Sequence, residues 1–525
     1  MRILPPPGHF PRFVAIVAGL IFAGTAPGAD TPFRARAEHM VLVVWDGMRP
    51  DFIRADTTPA LHALAARGTF FANNHCVYVT STEVNGAAIA TGCYTARTGI
   101  AANAEYRPDI NLVRPVATEN AVSCRIGDIV RDGRYVGVPT LAEIVQRAGG
   151  RTVIAGTKPV ALLHDRTFDR AGSPGSAILF AGKTYPPSAL APLTALLGKF
   201  PPFPLAETLE PNSAQNAWTT RAFIDALWRD GVPRFSTLWL GDPDYSQHLT
   251  QPGSPTALAA IRNSDTQLGL VLAALHERGV LEKTNVFIVS DHGFSTTDRF
   301  VDLAGILKKA GFTTVRAYAG TPRPGQILHV PLGGSTQFYV PGRDPALIQR
   351  LVSFLQASDF AGPIFTRDAL PGTFALREAR IETPDSPDIL FSYRWSDGEN
   401  ASGIRGLVAS EARRTGFGTH ASLSKYDVHN TLVAAGPDIR AGFRDTFPTS
   451  NVDVAPTILH LLGIAPPEPL DGRVLSEALA AVDFDAPMPA TKTIEAAAGT
   501  WRQYLKITTF GTHTYLDEGN ASHSE

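Results

Sequence analysis

Four short apolar runs stand out along the chain, each bordered by aspartate or histidine. Val41-Leu42-Val43-Val44-Trp45 leads into Asp46. Phe235 to Gly241 leads into Asp242-Pro243-Asp244, with His248 following. Val286-Phe287-Ile288-Val289-Ser290 leads into Asp291-His292, and His420 stands ahead of a fourth run, Thr431 to Ala435. Short, continuous apolar runs rich in β-branched residues predict strands buried on both faces. Thr152 to Ala155 predicts a further strand. Helical spacing covers Pro59 to Arg67, Ala217 to Trp228, Ser254 to Arg278 and Val454 to Leu462. The alternation predicts an α/β fold, with a mostly parallel central sheet and helices on both faces. Open sheets of this kind collect ligands beyond the carboxyl ends of their strands. The runs can therefore deliver residues distant in sequence to one cleft.

The rhythm breaks between 302 and 414. This stretch has Gly- and Pro-rich turns, a strand-like Thr336 to Val340 and one helix near Ala346 to Gln356. It reads as a smaller subdomain inserted over the cleft; the alternative is a continuation of the sheet. From Val433 the sheet pattern resumes, and after Asp485 the tail is polar and loosely patterned. No internal repeat is visible.

Composition narrows the class. The chain has 525 residues, 44% apolar and 18% charged, which is globular composition. A formal net charge of −2 supplies no basic patch for a nucleic-acid duplex. The amino end reads as a signal peptide over 1–29. Arg2 and Arg12 precede an apolar core, Phe13 to Ala23, and then small residues and proline. That core is too short to span a bilayer, which takes about 20 residues, and no later stretch reads as transmembrane. The expected mature protein is periplasmic or secreted, with its catalytic domain over 30–525. Cys76, Cys93 and Cys124 permit at most one internal disulfide, whose pairing the sequence leaves open, as it does the oligomeric state.

The acidic and imidazole residues at the run ends are ordinary Zn²⁺ ligands. They divide into two sets: Asp244, His248 and His420 for one ion, and Asp46, Asp291 and His292 for a second. Three protein ligands leave each ion an open position, as in catalytic sites. Two ions about 4 Å apart suit an in-line phosphoryl displacement. A nucleophile would come from Val79-Thr80-Ser81-Thr82-Glu83-Val84, just ahead of the helix-like Gly86 to Ala90. On local pattern alone, Thr82 is a helix N-cap.

Taken together, these segments resemble the alkaline phosphatase superfamily, and within it the type I phosphodiesterase/nucleotide pyrophosphatase family. The resemblance rests on Val43-Val44-Trp45-Asp46-Gly47, Thr82-Glu83-Val84-Asn85 with Thr91-Gly92, and Asp242-Pro243-Asp244 with His248. It continues through Ser290-Asp291-His292-Gly293, Gly418-Thr419-His420 and Asp453-Val454-Ala455-Pro456-Thr457. It covers nearly all of the expected mature chain and implies an alkaline-phosphatase-like fold with two divalent metal ions, most simply Zn²⁺. It also implies that Thr82 is a metal-bound nucleophile forming a covalent phospho-threonine. Asn103 would then contact a phosphate oxygen of a small-molecule phosphate ester, and Asn85 would be structural.

Two departures bear on substrate. Members acting on nucleotides carry an aromatic residue just after the nucleophile; Glu83 stands there, which counts against a nucleotide preference. Phosphomonoesterases of a related branch carry Lys-x-Arg; Thr157-Lys158-Pro159-Val160 lacks the arginine, and Lys158 reads as a solvated loop residue. Cys93-Tyr94-Thr95-Ala96-Arg97 looks like a sulfatase signature. However, the sulfatase nucleophile lies nine positions before a Thr-Gly pair, and nine before Thr91 is Thr82. Cys93 is thus expected to be buried or disulfide-bonded. The leading expectation is a phosphodiesterase. The alternatives are a phosphomonoesterase or phosphonate hydrolase on the same metal site, and an inactive binding protein that keeps the fold.

Overall fold

The computed structural model describes residues 35–167, 174–480, 482 and 484–524. The expected signal peptide, 1–29, lies outside them. Nine strands make the central sheet: β1 (His39–Trp45), β2 (Thr69–Phe71), β3 (Thr152–Gly156), β4 (Ala177–Phe180), β5 (Lys183–Tyr185), β6 (Phe235–Leu240), β7 (Thr284–Val289), β8 (Leu432–Ala435) and β9 (Phe443–Asp445). Their order is β9-β2-β8-β7-β1-β6-β3-β4-β5. β7, β1, β6, β3 and β4 run parallel. β8 runs antiparallel to β7, and β5 antiparallel to β4. The mostly parallel sheet expected from the βα rhythm is present.

Burial explains the continuous apolar runs. In β1, Val41, Val43 and Trp45 join a core with Leu64, Phe223, Leu268, Val271 and Leu275 from the helices on one face. Met40, Leu42 and Val44 point the other way and are equally buried, so a strand with two covered faces shows no polar alternation. The helix Pro255–Glu277 starts on a Ser254 side-chain cap to Ala257 N–H, with Pro255 at its first position. On the sheet's second side lies the helix Thr82–Thr91, packed against the helices Leu141–Arg147 and Val454–Leu461. It comes so close to β6 and the loop after β3 that a Cβ on Gly86 would meet Val160 at 2.7 Å and Trp239 at 3.4 Å.

Residues 302–414 add no strand to the central sheet. Six strands, Thr313–Val315, Gln326–Pro331, Ser335–Tyr339, Ala361–Thr366, Phe374–Ala375 and Ile389–Tyr393, form a second sheet. Trp395–Glu399 and Arg405–Ser410 pair with Ser295–Phe300 and Gly418–Thr419 in a third.

The tail after Asp485 is more ordered than its sequence suggests. Ala490–Ala498, Trp501–Phe510 and His513–His523 form an antiparallel meander. Trp501, Gln503, Leu505 and Ile507 alternate inward between more exposed neighbours. The inward Gln503 is polar but satisfied, exchanging hydrogen bonds with the backbone of Ile364, which is why polarity alone hid the period of two. Leu505 and Ile507 share a core with Val77, Val79, Val84, Phe365 and Leu390. The last strands therefore pack beneath the segment that carries Thr82. Leu505→Ala should lower unfolding free energy by about 2–5 kcal/mol, read by denaturant titration. A change below about 0.5 kcal/mol, the size of an ordinary surface substitution, would show that the meander is not part of this core.

Candidate active site

The register of three strands assembles the acidic residues. Trp45 pairs with Leu240 across β1 and β6, and Val44 pairs with Val289 across β1 and β7. Asp46, Asp244 and Asp291 consequently emerge at one sheet edge, where Asp244 N–H donates to Asp46 O at 2.9 Å. Gly47 turns the chain here at φ +72°, and its N–H donates to Asp291 Oδ1 at 2.9 Å. Asp244 begins the helix Asp244–Leu249, which places His248 on the same face one turn later. His420 arrives differently from the sequence expectation. It follows the short strand Gly418–Thr419, which pairs with Ser295–Thr296, and the helix Lys425–Val428 separates it from β8.

These six residues converge as two adjacent trios, Asp244–His248–His420 and Asp46–Asp291–His292, each with ligand-capable atoms within 4.8 Å of one another. Asp244 Oδ1 is 3.3 Å from His248 Nε2 and 3.5 Å from His420 Nε2. His292 Nε2 is 3.3 Å from Asp291 Oδ2 and 3.7 Å from Asp46 Oδ1. The trios meet where the His292 and His420 rings stack at 3.7 Å.

Each imidazole is oriented by a main-chain carbonyl at Nδ1. His248 uses Gly418 O at 2.9 Å, His292 uses Gly293 O at 2.8 Å, and His420 uses Thr80 O at 2.9 Å. A ring that donates from Nδ1 presents a lone pair at Nε2. Opposite those lone pairs, Asp46 Oδ1, Asp244 Oδ1 and Asp291 Oδ2 are buried without a hydrogen-bond partner. Lone pairs facing lone pairs in a buried site cannot satisfy one another, and leaving them unpaired is costly. Divalent cations would satisfy all six groups, so the residues present fit metal ions.

The protonation preferences have the same origin. Burial pushes His248 down to about 3 and His292 to about 4, and it lowers His420 with help from His292. The rings are therefore neutral ligands at neutral pH. Burial, followed by the neighbouring Asp291 charge, raises Asp46 well above the usual carboxylate range, and burial moves Asp291 to about 6. Burial acts on Asp244 in the same sense, but Lys158 and then the histidines outweigh it and hold Asp244 low.

Lys158 corrects the sequence reading. Its ammonium is 2.8 Å from Asp46 Oδ2 and 3.1 Å from Asp244 Oδ2, bridging the two trios, and its side chain is only 23% exposed. It is no solvated loop residue, because the carboxyl end of β3 opens onto the same edge as β1 and β6. Sequence reasoning also missed Trp239, whose Nε1–H donates to Asp46 Oδ2 at 2.8 Å. Below the site, Asn451 donates to Asp291 O at 2.8 Å and to Asn85 Oδ1 at 3.1 Å, while Asn430 donates to Asn451 Oδ1 at 3.0 Å. Asn85 in turn accepts from Val77 N–H and donates to Val77 O, clamping the loop ahead of Thr82.

Thr82 is the first residue of its helix; Ser81 is the N-cap residue, and its hydroxyl makes no cap. The Thr82 side chain faces the trios instead, with Oγ1 3.4 Å from His292 Nε2. Asn103 lies beside it, its carboxamide oxygen accepting from Glu83 N–H at 3.3 Å. Asp242 shapes the preceding turn, accepting from Ser246 and from Asn212 N–H. Cys76, Cys93 and Cys124 are free and buried. His429 packs against His75, ring to ring at 4.5 Å.

Comparison with known proteins identifies the family of the chain. A sequence model described as type I phosphodiesterase / nucleotide pyrophosphatase matches residues 40–396. Human ectonucleotide pyrophosphatase/phosphodiesterase family member 7 is 25% identical over an alignment covering 55% of each chain. The bovine bis(5'-adenosyl)-triphosphatase ENPP4 is 22% identical, covering 85% of this chain and 83% of its own. The structure of murine ectonucleotide pyrophosphatase/phosphodiesterase 5, solved as an inactive variant in complex with AMP, superposes with a TM-score of 0.57 at 17% identity. It covers 84% of this chain and 100% of that chain. The likeness to this structure is one of fold. Among the described residues, no helix is long and apolar enough to cross a membrane.

Outer-shell partners of metal ligands are worth about 10–100-fold in affinity. Trp239→Phe, which keeps the ring's bulk and removes the donor to Asp46, should therefore raise the dissociation constant for Zn²⁺ by about that factor in a competition titration with a chelator. Unchanged affinity would show that the indole only packs.

Proposed function

Because the chain belongs to the type I phosphodiesterase/nucleotide pyrophosphatase family, we propose that it is an exported phosphodiesterase. In this reading it cleaves phosphate diesters through Thr82 beside two divalent cations, most simply Zn²⁺. Asp46, Asp291 and His292 would hold one ion, and Asp244, His248 and His420 the other. The observation that carries the reading is the Thr82 hydroxyl, turned away from capping its own helix and toward two trios of unpartnered ligand atoms. Bound there, the cations would act as Lewis acids that lower the pKa of a coordinated oxygen and neutralise developing charge.

The chain's own groups supply the rest. Thr82 Oγ gives up its proton to water and forms the new bond to phosphorus as the bond to the leaving alcohol breaks. The leaving oxygen departs with that electron pair and takes up a proton from water, giving a phospho-threonine. A water molecule then attacks phosphorus, releases the phosphomonoester and restores the hydroxyl. The amino terminus of the helix Thr82–Thr91 presents its N–H groups to the phosphoryl oxygens. Asn103, with its oxygen held by Glu83 N–H, turns its amide donors to one of them. Lys158 adds a positive charge beyond those of the two cations, suiting the site to an anion.

Val160 favours the diester over the monoester. It is fully buried beneath Gly86, so that position has no room for a guanidinium reaching toward a dianionic phosphate. The purified enzyme should turn over bis(4-nitrophenyl) phosphate with higher kcat/KM than 4-nitrophenyl phosphate, lose both activities on chelation and regain them with Zn²⁺. A monoester preference would overturn the reading. Thr82→Ala should lower kcat by about a thousandfold or more, since no other nucleophile takes its place. Metal analysis of that variant should still find two ions per chain. Turnover at the wild-type rate would remove Thr82 from the nucleophile position.

A further inference from the structure

Beyond Asp244 and His248 the site opens into a cavity of about 540 Å³. Its walls differ in chemistry from the metal-ligating edge. On one side Phe203 and Tyr245 stack at 5.2 Å with an interplanar angle of 27°. Tyr245 follows Asp244 directly, and its hydroxyl donates to Pro204 O at 3.2 Å, tying the aromatic pair to the metal-site helix. Phe203 is nonetheless 56% exposed, and Phe417, which also lines the cavity, is 37% exposed. Two large aromatic surfaces are thus left uncovered at the rim of one cavity, a feature that marks ligand-binding grooves.

Arg413 and Arg414 also line the cavity. Among the described residues, neither guanidinium has an ion pair or hydrogen bond, whereas nearby Arg405 pairs with Glu399 and Arg316 with Glu411. Glu411, the adjacent acid, is also taken by Thr336 and by His329 at 2.8 Å. Two guanidiniums left free beside exposed aromatic rings are suited to a ligand with a flat apolar body and a negative end.

We propose that this cavity takes one organic arm of the diester, an arm with an aromatic body lying against Phe203 and Tyr245 and a second anionic group held by Arg413 and Arg414. The proposal rests on the diesterase reading above and names the substrate class for that site. In it, Arg413 and Arg414 are specificity-determining residues remote from the reacting phosphorus.

Three matched 4-nitrophenyl diesters test it, their second alcohol being benzyl alcohol, 4-carboxybenzyl alcohol or 4-phosphonobenzyl alcohol. With the metal-loaded full chain, the charged esters should be preferred over the uncharged one by roughly fivefold or more, expressed mainly in KM, as an exposed pairing of charges allows. The larger preference tells carboxylate from phosphate chemistry. High salt should erode the ratio, and in the double variant Arg413→Ala/Arg414→Ala it should fall toward one. Equal kcat/KM for all three esters, or a preference that survives the double variant, would overturn the cavity assignment while leaving the diesterase reading in place. Hydrolysis of none of the three would remove the diesterase reading, and this proposal with it.

Discussion

The site depends on the position of β1 between β6 and β7. A parallel strand hydrogen-bonded on both sides fixes the register of three chain segments at once, and a slip of one residue would turn every side chain to the opposite face. Asp46, Asp244 and Asp291 leave the sheet within one residue or a short turn of those paired ends. This register brings Asp46, Asp244 and Asp291, far apart in sequence, into one buried cluster. The histidines are then set by main-chain carbonyls, which are themselves fixed by the third sheet and by the loop before Thr82.

The electrostatics follow from the same burial. Three carboxylates forced together without water would repel, and Lys158 offsets only part of that repulsion. The arrangement is stable as a design because its unmet demand is specific: buried oxygens and imidazole lone pairs point inward, and only compact cations meet both. The amide net of Asn74, Asn85, Asn430 and Asn451 is fully buried and mutually bonded, which stiffens the floor beneath the ligands.

Much of this was legible in the sequence, for a physical reason. Strands buried on both faces cannot hide their apolar runs, so β1, β6 and β7 declared themselves, and the ligands followed at their ends. Helices with amphipathic spacing, such as Pro59–Arg67 and Pro255–Glu277, were equally plain. What escaped notice lies where local pattern and tertiary role diverge. β3 is short, and the carboxyl-end rule was not carried through to Lys158. Trp239 reads as one more apolar residue of a strand, although its indole N–H serves Asp46. The terminal meander buries the polar Gln503 on its inner face, so its alternation is one of burial and not of hydropathy. His420 was read from its place ahead of the run that becomes β8, whereas the strand Gly418–Thr419 of the third sheet positions it.

That meander is also the last part of the fold to be synthesised. Its strands complete the core behind Val77, Val79 and Val84, and Arg473 and Tyr515 close over Asp453 from the same side. The two trios and Thr82 all lie before residue 421, but the strands that complete the core behind Thr82 run on to His523. The core behind Thr82 is therefore complete only with the last strand of the chain's meander.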